Sequence, residues 1–211
     1  MRPSKVMKMK RRSQVEDVEA RETQNSTQEE EITLVDYHDN HIYFYDEITH
    51  QTVMFLVQFI RILDQQNRVM QIEWDLPAPP PIHIHINSYG GSYHAGMAAY
   101  RAVKNATSPI HIHNEGGVAS AATFMAVAGD HRTMGRESLF CIHEIINLFY
   151  GKYHEFQDEM KNLDTEMGIM YDVYMKHSKL TKEDLDEIMK GDMWLTAQEA
   201  LEKGLIDEIL G

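Results

Sequence analysis

The chain of 211 residues holds one cysteine, Cys141, so no disulfide framework within it is available to staple the fold. That usage fits a reducing compartment, and the expected location is the cytoplasm. No apolar run approaches the ~20 residues that a membrane-spanning helix needs. Basic residues are scarce: Lys and Arg number 20 against 33 Asp and Glu, a formal net charge of −13. A surface of that sign argues against nucleic acid or an anionic membrane as the main partner. Neither G-x-G-x-x-G nor a Walker pattern occurs, so nucleotide binding has no support and no cofactor is expected.

What is present is an ordinary globular composition, 43% hydrophobic and 25% charged, in a chain long enough to bury one core. Residues 1–31 read as a tail. The first twelve carry Arg2, Lys5, Lys8, Lys10, Arg11 and Arg12 with no apolar h-region, so no secretory signal is expected there. Over the whole tail, basic and acidic residues balance, and the net negative charge falls on a domain expected over 32–211. Ile32 to Tyr45 alternates and is rich in Ile, Val and Tyr, which reads as a strand. Thr49 is placed to cap a helix running to about Gln65, and Val69 to Pro81, ending in LPAPPP, reads as a stiff connection.

Ile82 to Ile86 is IHIHI, and the pattern returns at Ile110, His111, Ile112, His113. Period two puts the isoleucines on one face of a strand and the histidines on the other. Four histidines on neighbouring strands suggest a metal, but no acid or cysteine joins them at ligand spacing, and hydrogen-bonded sheet histidines are the preferred reading. NSYGGS, Asn87 to Ser92, follows the first of these strands and precedes a helix from about Tyr93 to Asn105; paired glycines there free backbone N–H groups to approach a ligand.

Gly116 to Gly129, GGVASAATFMAVAG, reads as a buried helix with Ser120 in its first turn. Taken alone, Ser120 is a small core residue. At a helix start it is also an oxygen beside unpaired N–H groups, where it is suited to act as a nucleophile with the N–H of Ala121 steadying an oxyanion. Ser138 to His143 reads as a strand. A long helix follows from about Tyr153 to His177, its narrow seam of Phe156, Met160, Leu163, Met167, Met170 and Tyr174 suited either to another helix or to its own domain. Thr181 starts a short helix, Thr196 and Glu199 form a capping box for the next, Gly204 closes that one, and Leu205 to Leu210 is a last strand.

NSYGGS, GGVASAATFMAVAG, FCIHE and DMWLTAQEALEKGLID, in that order, resemble the proteolytic subunit of the Clp protease, a self-compartmentalising serine peptidase of the crotonase-like fold. The resemblance covers roughly Ile42 to Leu210, with an apparent insertion around Arg68 to Pro80. It implies an α/β fold of repeated β-β-α units with a long projecting helix. It implies Ser120 as nucleophile, His143 as base, Asp192 as the acid that orients the base, and the N–H groups of Gly91 and Ala121 as the oxyanion hole. It further implies a homo-oligomer of stacked heptameric rings, protein or peptide substrates, and an ATP-driven unfoldase partner of the Clp/Hsp100 type. Four departures stand out. Tyr89 replaces the usual proline, Gly117 and Ala122 flank the serine, Glu144 replaces Gln-Pro, and Asn147 to Tyr150 lacks the glycine-rich loop. The triad survives, so an active enzyme is expected. A ClpP-like protease that matures a capsid without an unfoldase, an inactive scaffold subunit, and an acyl-CoA enzyme of the crotonase type are the alternatives.

Overall fold

Two runs of alternating isoleucine and histidine found the sheet. In the computed structural model, which describes residues 33–211, β3 (Ile82–Ser88) and β4 (Ile110–Ala119) lie parallel with Ile82 opposite Ile110 and Ile84 opposite Ile112. All four isoleucines are fully buried, and the histidines between them point to the opposite face. The tail expected over 1–31 lies outside the described residues.

β2 (His41–Phe44) joins β3 in parallel, and β1 (Val35–His38) pairs antiparallel with β2. On the other side β5 (His131–Gly135) runs parallel to the first half of β4, and β8 (Glu208–Leu210) parallel to β5. β4 then forks. Its last residues, Gly117 to Ala119, leave β5 and pair with β6 (Leu139–Cys141), which itself pairs antiparallel with β7 (Trp194–Thr196). The order is β1-β2-β3-β4-β5-β8, with β6 and β7 branching from the end of β4.

Helices α1 (His50–Glu73), α2 (Tyr93–Asn105) and α3 (Ala122–Ala128) pack their apolar residues with the isoleucine face. α4 (Tyr153–His177), α5 (Lys182–Met189) and α6 (Ala197–Glu202) complete the described chain. The caps fall where the sequence puts them: Thr49, Thr181 and Thr196 each hold a reciprocal capping box.

Three expectations need correction. The strand expected over Ile32 to Tyr45 is a hairpin, reversed at Asp39, whose φ of 51° lies in the left-handed region that aspartate tolerates. The first helix does not stop near Gln65 but runs to Glu73, since no glycine or proline interrupts residues 66–73. Buried Asn67 donates from Nδ2 to the Pro80 carbonyl at 3.1 Å and ties the proline run back onto α1. The apparent insertion is therefore two extra helical turns and a stiff return. Gly116 to Ala119 is strand rather than helix, because β6 claims its backbone.

The seam of α4 divides in two. Met170, Val173 and Tyr174 are buried in the domain's own core, whereas Tyr153, Phe156 and Met160 are 72%, 46% and 57% exposed. Apolar side chains left in water on a regular helix mark a contact face. Met160→Asp is expected to lower the native mass while shifting the stability of the fold by no more than about 0.5 kcal/mol, as at other surface positions. An unchanged native mass would exclude this face as a contact between copies of the chain.

Candidate active site

The end of β3 and the end of β4 meet at one point. After Ser88 the chain passes through Gly90 and Gly91, with φ of 98° and 146°. A Cβ on Gly90 would lie 2.5 Å from the Ser120 Cβ and 2.8 Å from the Ala119 carbonyl oxygen, so only glycine lets the loop pass the serine this closely. Ile48 fixes the loop from outside: its N–H donates to the Gly90 carbonyl at 2.7 Å, and its own carbonyl accepts from Ser92 N at 2.8 Å. The Gly91 N–H meets no acceptor among the described residues.

Ser120 occupies the turn between β4 and α3 and has φ of 54°. A non-glycine residue held there is strained, and the turn is fastened on both sides. Its N–H donates to the Cys141 carbonyl at 3.0 Å, and its carbonyl accepts from Thr123 N at 2.9 Å and Thr123 Oγ1 at 2.5 Å. Thr123 Oγ1 also lies 2.5 Å from the hydroxyl of fully buried Tyr174. The backbone is thus tightly held while the Ser120 hydroxyl has no hydrogen-bond partner among the described residues, and the Ala121 N–H likewise has none. Ser120 stands just before the helix, not within its first turn as the small-residue run suggests.

Ser120, Gly91, Ala121 and His143 line a single cavity of about 300 Å³, walled by Tyr93, Phe124, Ile145, Ile146, Met170 and Tyr174. Burial pushes the Tyr93 phenol up to about 12, with the Glu166 charge adding to it, and burial raises Tyr174 as well, so both stay neutral. His143 follows β6 by two residues. Its Nδ1–H donates to the carbonyl of Glu144 at 2.6 Å, which leaves Nε2 with its lone pair. It makes no hydrogen bond to Ser120.

Asp192 lies outside this cavity and makes no ion pair or hydrogen bond among the described residues. Its charge acts on Cys141, whose thiol is raised first by burial and then by Asp192. The neighbouring acids are committed elsewhere. Asp184 accepts from Thr181 N and Oγ1, Asp186 from the Tyr171 hydroxyl and Lys182, and Asp207 from three N–H groups of Arg132, its backbone amide included. The strand register gives Asp192 its place. β6 and β7 pair Leu139 with Thr196 and Cys141 with Trp194, and continuing that register by two residues sets His143 opposite Asp192. A tight turn, Met193 N to the Gly191 carbonyl at 2.6 Å, draws the chain out of the ladder before it gets there.

Sequence reasoning missed how two departures fit each other. The Tyr89 ring packs edge-on against Trp194, centroids 5.9 Å apart, and a Cβ on Gly117 would lie 3.2 Å from that ring. A glycine at 117 makes room for the tyrosine at 89. The sheet histidines do bond to one another, as preferred, and no group of three or more ligating side chains among the described residues is arranged for a metal ion. None of the described helices is long and apolar enough to cross a membrane.

A family model described as Clp protease matches residues 23–211. The ATP-dependent Clp protease proteolytic subunit of Deinococcus radiodurans is 26% identical over 174 residues, covering 82% of this chain and 80% of its own. Among solved structures, an asparagine-to-aspartate variant of ClpP1 from Listeria monocytogenes superposes with a TM-score of 0.70 at 21% identity, over 82% of this chain and 91% of that one. The α/β architecture described above is therefore the ClpP fold.

Proposed function

The chain belongs to the Clp protease family, whose members are serine peptidases, and from that premise we propose that Ser120, His143 and Asp192 form its catalytic triad inside an oligomeric chamber fed by an ATP-dependent unfoldase. One observation carries the assignment. A serine hydroxyl with no partner, on a left-handed turn, shares a cavity with an imidazole and with two backbone N–H groups that have no acceptor. A serine is a poor nucleophile until a base takes its proton. On this reading Ser120 Oγ attacks the scissile carbonyl carbon as His143 Nε2 accepts the hydroxyl proton. The oxyanion is held by Gly91 and Ala121, each donor of this kind contributing about 100–1,000-fold. The imidazolium then protonates the leaving amine, and water, activated by the same nitrogen, releases the acyl group. The apolar wall suits a large apolar side chain at the residue under attack.

The arrangement described above is then a resting one. Two more residues of β6–β7 pairing would exchange the Glu144 carbonyl for Asp192 at His143 Nδ1. A carbonyl fixes the same tautomer as a carboxylate does, but only the carboxylate stabilises the imidazolium that forms. Support for assembly comes from the exposed half of α4, and support for an unfoldase from the absence of a nucleotide motif in a family of ATP-dependent proteases. Purified protein is expected to cut short fluorogenic peptides without ATP and to leave a stably folded protein intact unless an unfoldase is added. Efficient digestion of that folded protein by the chain alone would establish a stand-alone protease instead.

A further inference from the structure

The histidine face of the sheet is more ordered than a set of solvated side chains. Strand register lines up His38, His41, His83, His111 and His131 in one row across five strands, and Asp36, Tyr43, His85, His113, Thr133 and Glu208 in the next. Two directed relays cross these rows. In the first, Tyr45 and His85 both donate to Glu115, His85 through Nδ1 at 2.8 Å, so His85 Nε2 is the acceptor for His41 Nδ1–H at 2.9 Å. In the second, Thr133 Oγ1 donates to the Ile112 carbonyl at 3.3 Å and accepts from His113 Nδ1–H at 2.8 Å; His113 Nε2 then accepts from His83 Nδ1–H at 2.9 Å. The rings stack as well, His41 on His83 at 4.6 Å and His85 on His113 at 4.7 Å.

The relays differ in how they end. The first terminates on a carboxylate, which can balance one added proton. The second terminates on a hydroxyl, so a proton placed on it has no counter-charge in the relay. The groups around it are His38 and Asp36 with Asp39 from β1 and its turn, His41 and Tyr43 from β2, His85 from β3, His111 and Glu115 from β4, His131 from β5 with Asp130 before it, and Glu208 from β8. None is a lysine or arginine. Above this ladder β3 continues into Gly90 and Gly91, and β4 into Ser120.

We propose that the His83–His113 relay is an acid-released clamp, joining β3 to β4 while its imidazoles are neutral and loosening the strands that carry the oxyanion loop and the serine turn when they are protonated. Both positions act by positioning, and the clamp does not depend on which acid completes the triad. Burial first, and the neighbouring imidazoles second, depress His83 and His113 to about 4 each. Below the ordinary histidine value of about 6.5 the unfolded chain therefore binds more protons than the folded one. The stability is complete above that pH and is lost as pH falls toward 4. His177 is depressed to about 4 by burial and by Lys104, Lys176 and Arg132, and it contributes separately.

The test is urea unfolding from pH 7 to 4.5 of the Ser120→Ala protein, with and without the combined change His83→Gln and His113→Gln. Between pH 6 and 4.5 the two histidines are expected to make the unfolding constant rise about 50-fold more per pH unit in the parent than in the double variant, a little under two protons' worth. Equal slopes would overturn the clamp. Hydrogen exchange on the parent decides the matter if the double variant does not fold. Peptides spanning 82–91 and 110–121 are expected to lose protection at pH 5 relative to pH 7, after correction for intrinsic rates, while 153–177 keeps its own. Unchanged protection in the two strand peptides would again refute the clamp.

Discussion

Ser120→Ala is expected to remove peptide hydrolysis almost completely, a loss of about a millionfold in kcat on the scale of other triad serines. Its stability should hardly change, because the Ser120 hydroxyl bonds to nothing among the described residues and alanine inherits the same backbone strain. Ser120→Gly sharpens the point. At a φ of 54° glycine escapes the penalty of about 1–2 kcal/mol that the left-handed region imposes on other residues. The glycine variant is expected to be equally inactive and more stable, which would mark the serine as kept for chemistry against the preference of its own backbone. Peptidase activity within tenfold of wild type in either variant would exclude Ser120 as the nucleophile.

Asp192→Asn is expected to fold, to assemble and to lose about 10,000-fold in kcat, since an amide of the same shape can favour the wrong imidazole tautomer and cannot stabilise the imidazolium. The other nearby acids are distinguished by what they already hold. Asp184→Asn disturbs a capping box, and Asp186→Asn loosens a tyrosine and a lysine on the surface; both are expected to keep kcat near wild type. Asp207 grips Arg132, whose guanidinium also donates to the His177 carbonyl at 2.6 Å, so Asp207→Asn is expected to lower stability more than turnover. If Asp192→Asn kept its kcat while Asp207→Asn lost it, the acid would be misassigned.

Local signals carried most of this fold. Alternating Ile and His marked β3 and the start of β4 because period two survives even in short strands, and threonine caps placed three helix starts. What the sequence hid depended on partners far along the chain. Gly116 to Ala119 has the composition of a helix, and only pairing with β6 makes it strand. The helix of residues 66–73 was masked by the proline run beyond it, and β5 and β7 are too short and mixed to show a period. For the site, the resemblance implied Ser120, Gly91 and His143, and the fold gathers these three into one cavity. The resemblance could not show that Asp192 stands two residues beyond the end of a strand ladder, nor that Tyr89, Gly117 and Trp194 fit together, because both depend on strand register.

The central claim is that Ser120 is a nucleophile activated by His143, and covalent labelling tests it directly. Native protein treated with a fluorophosphonate and digested for mass spectrometry is expected to carry one adduct, on Ser120, and to lose it in His143→Ala. An unlabelled Ser120 in correctly assembled protein, or labelling that persists without His143, would contradict the account and leave the chain as a scaffold built on a peptidase fold.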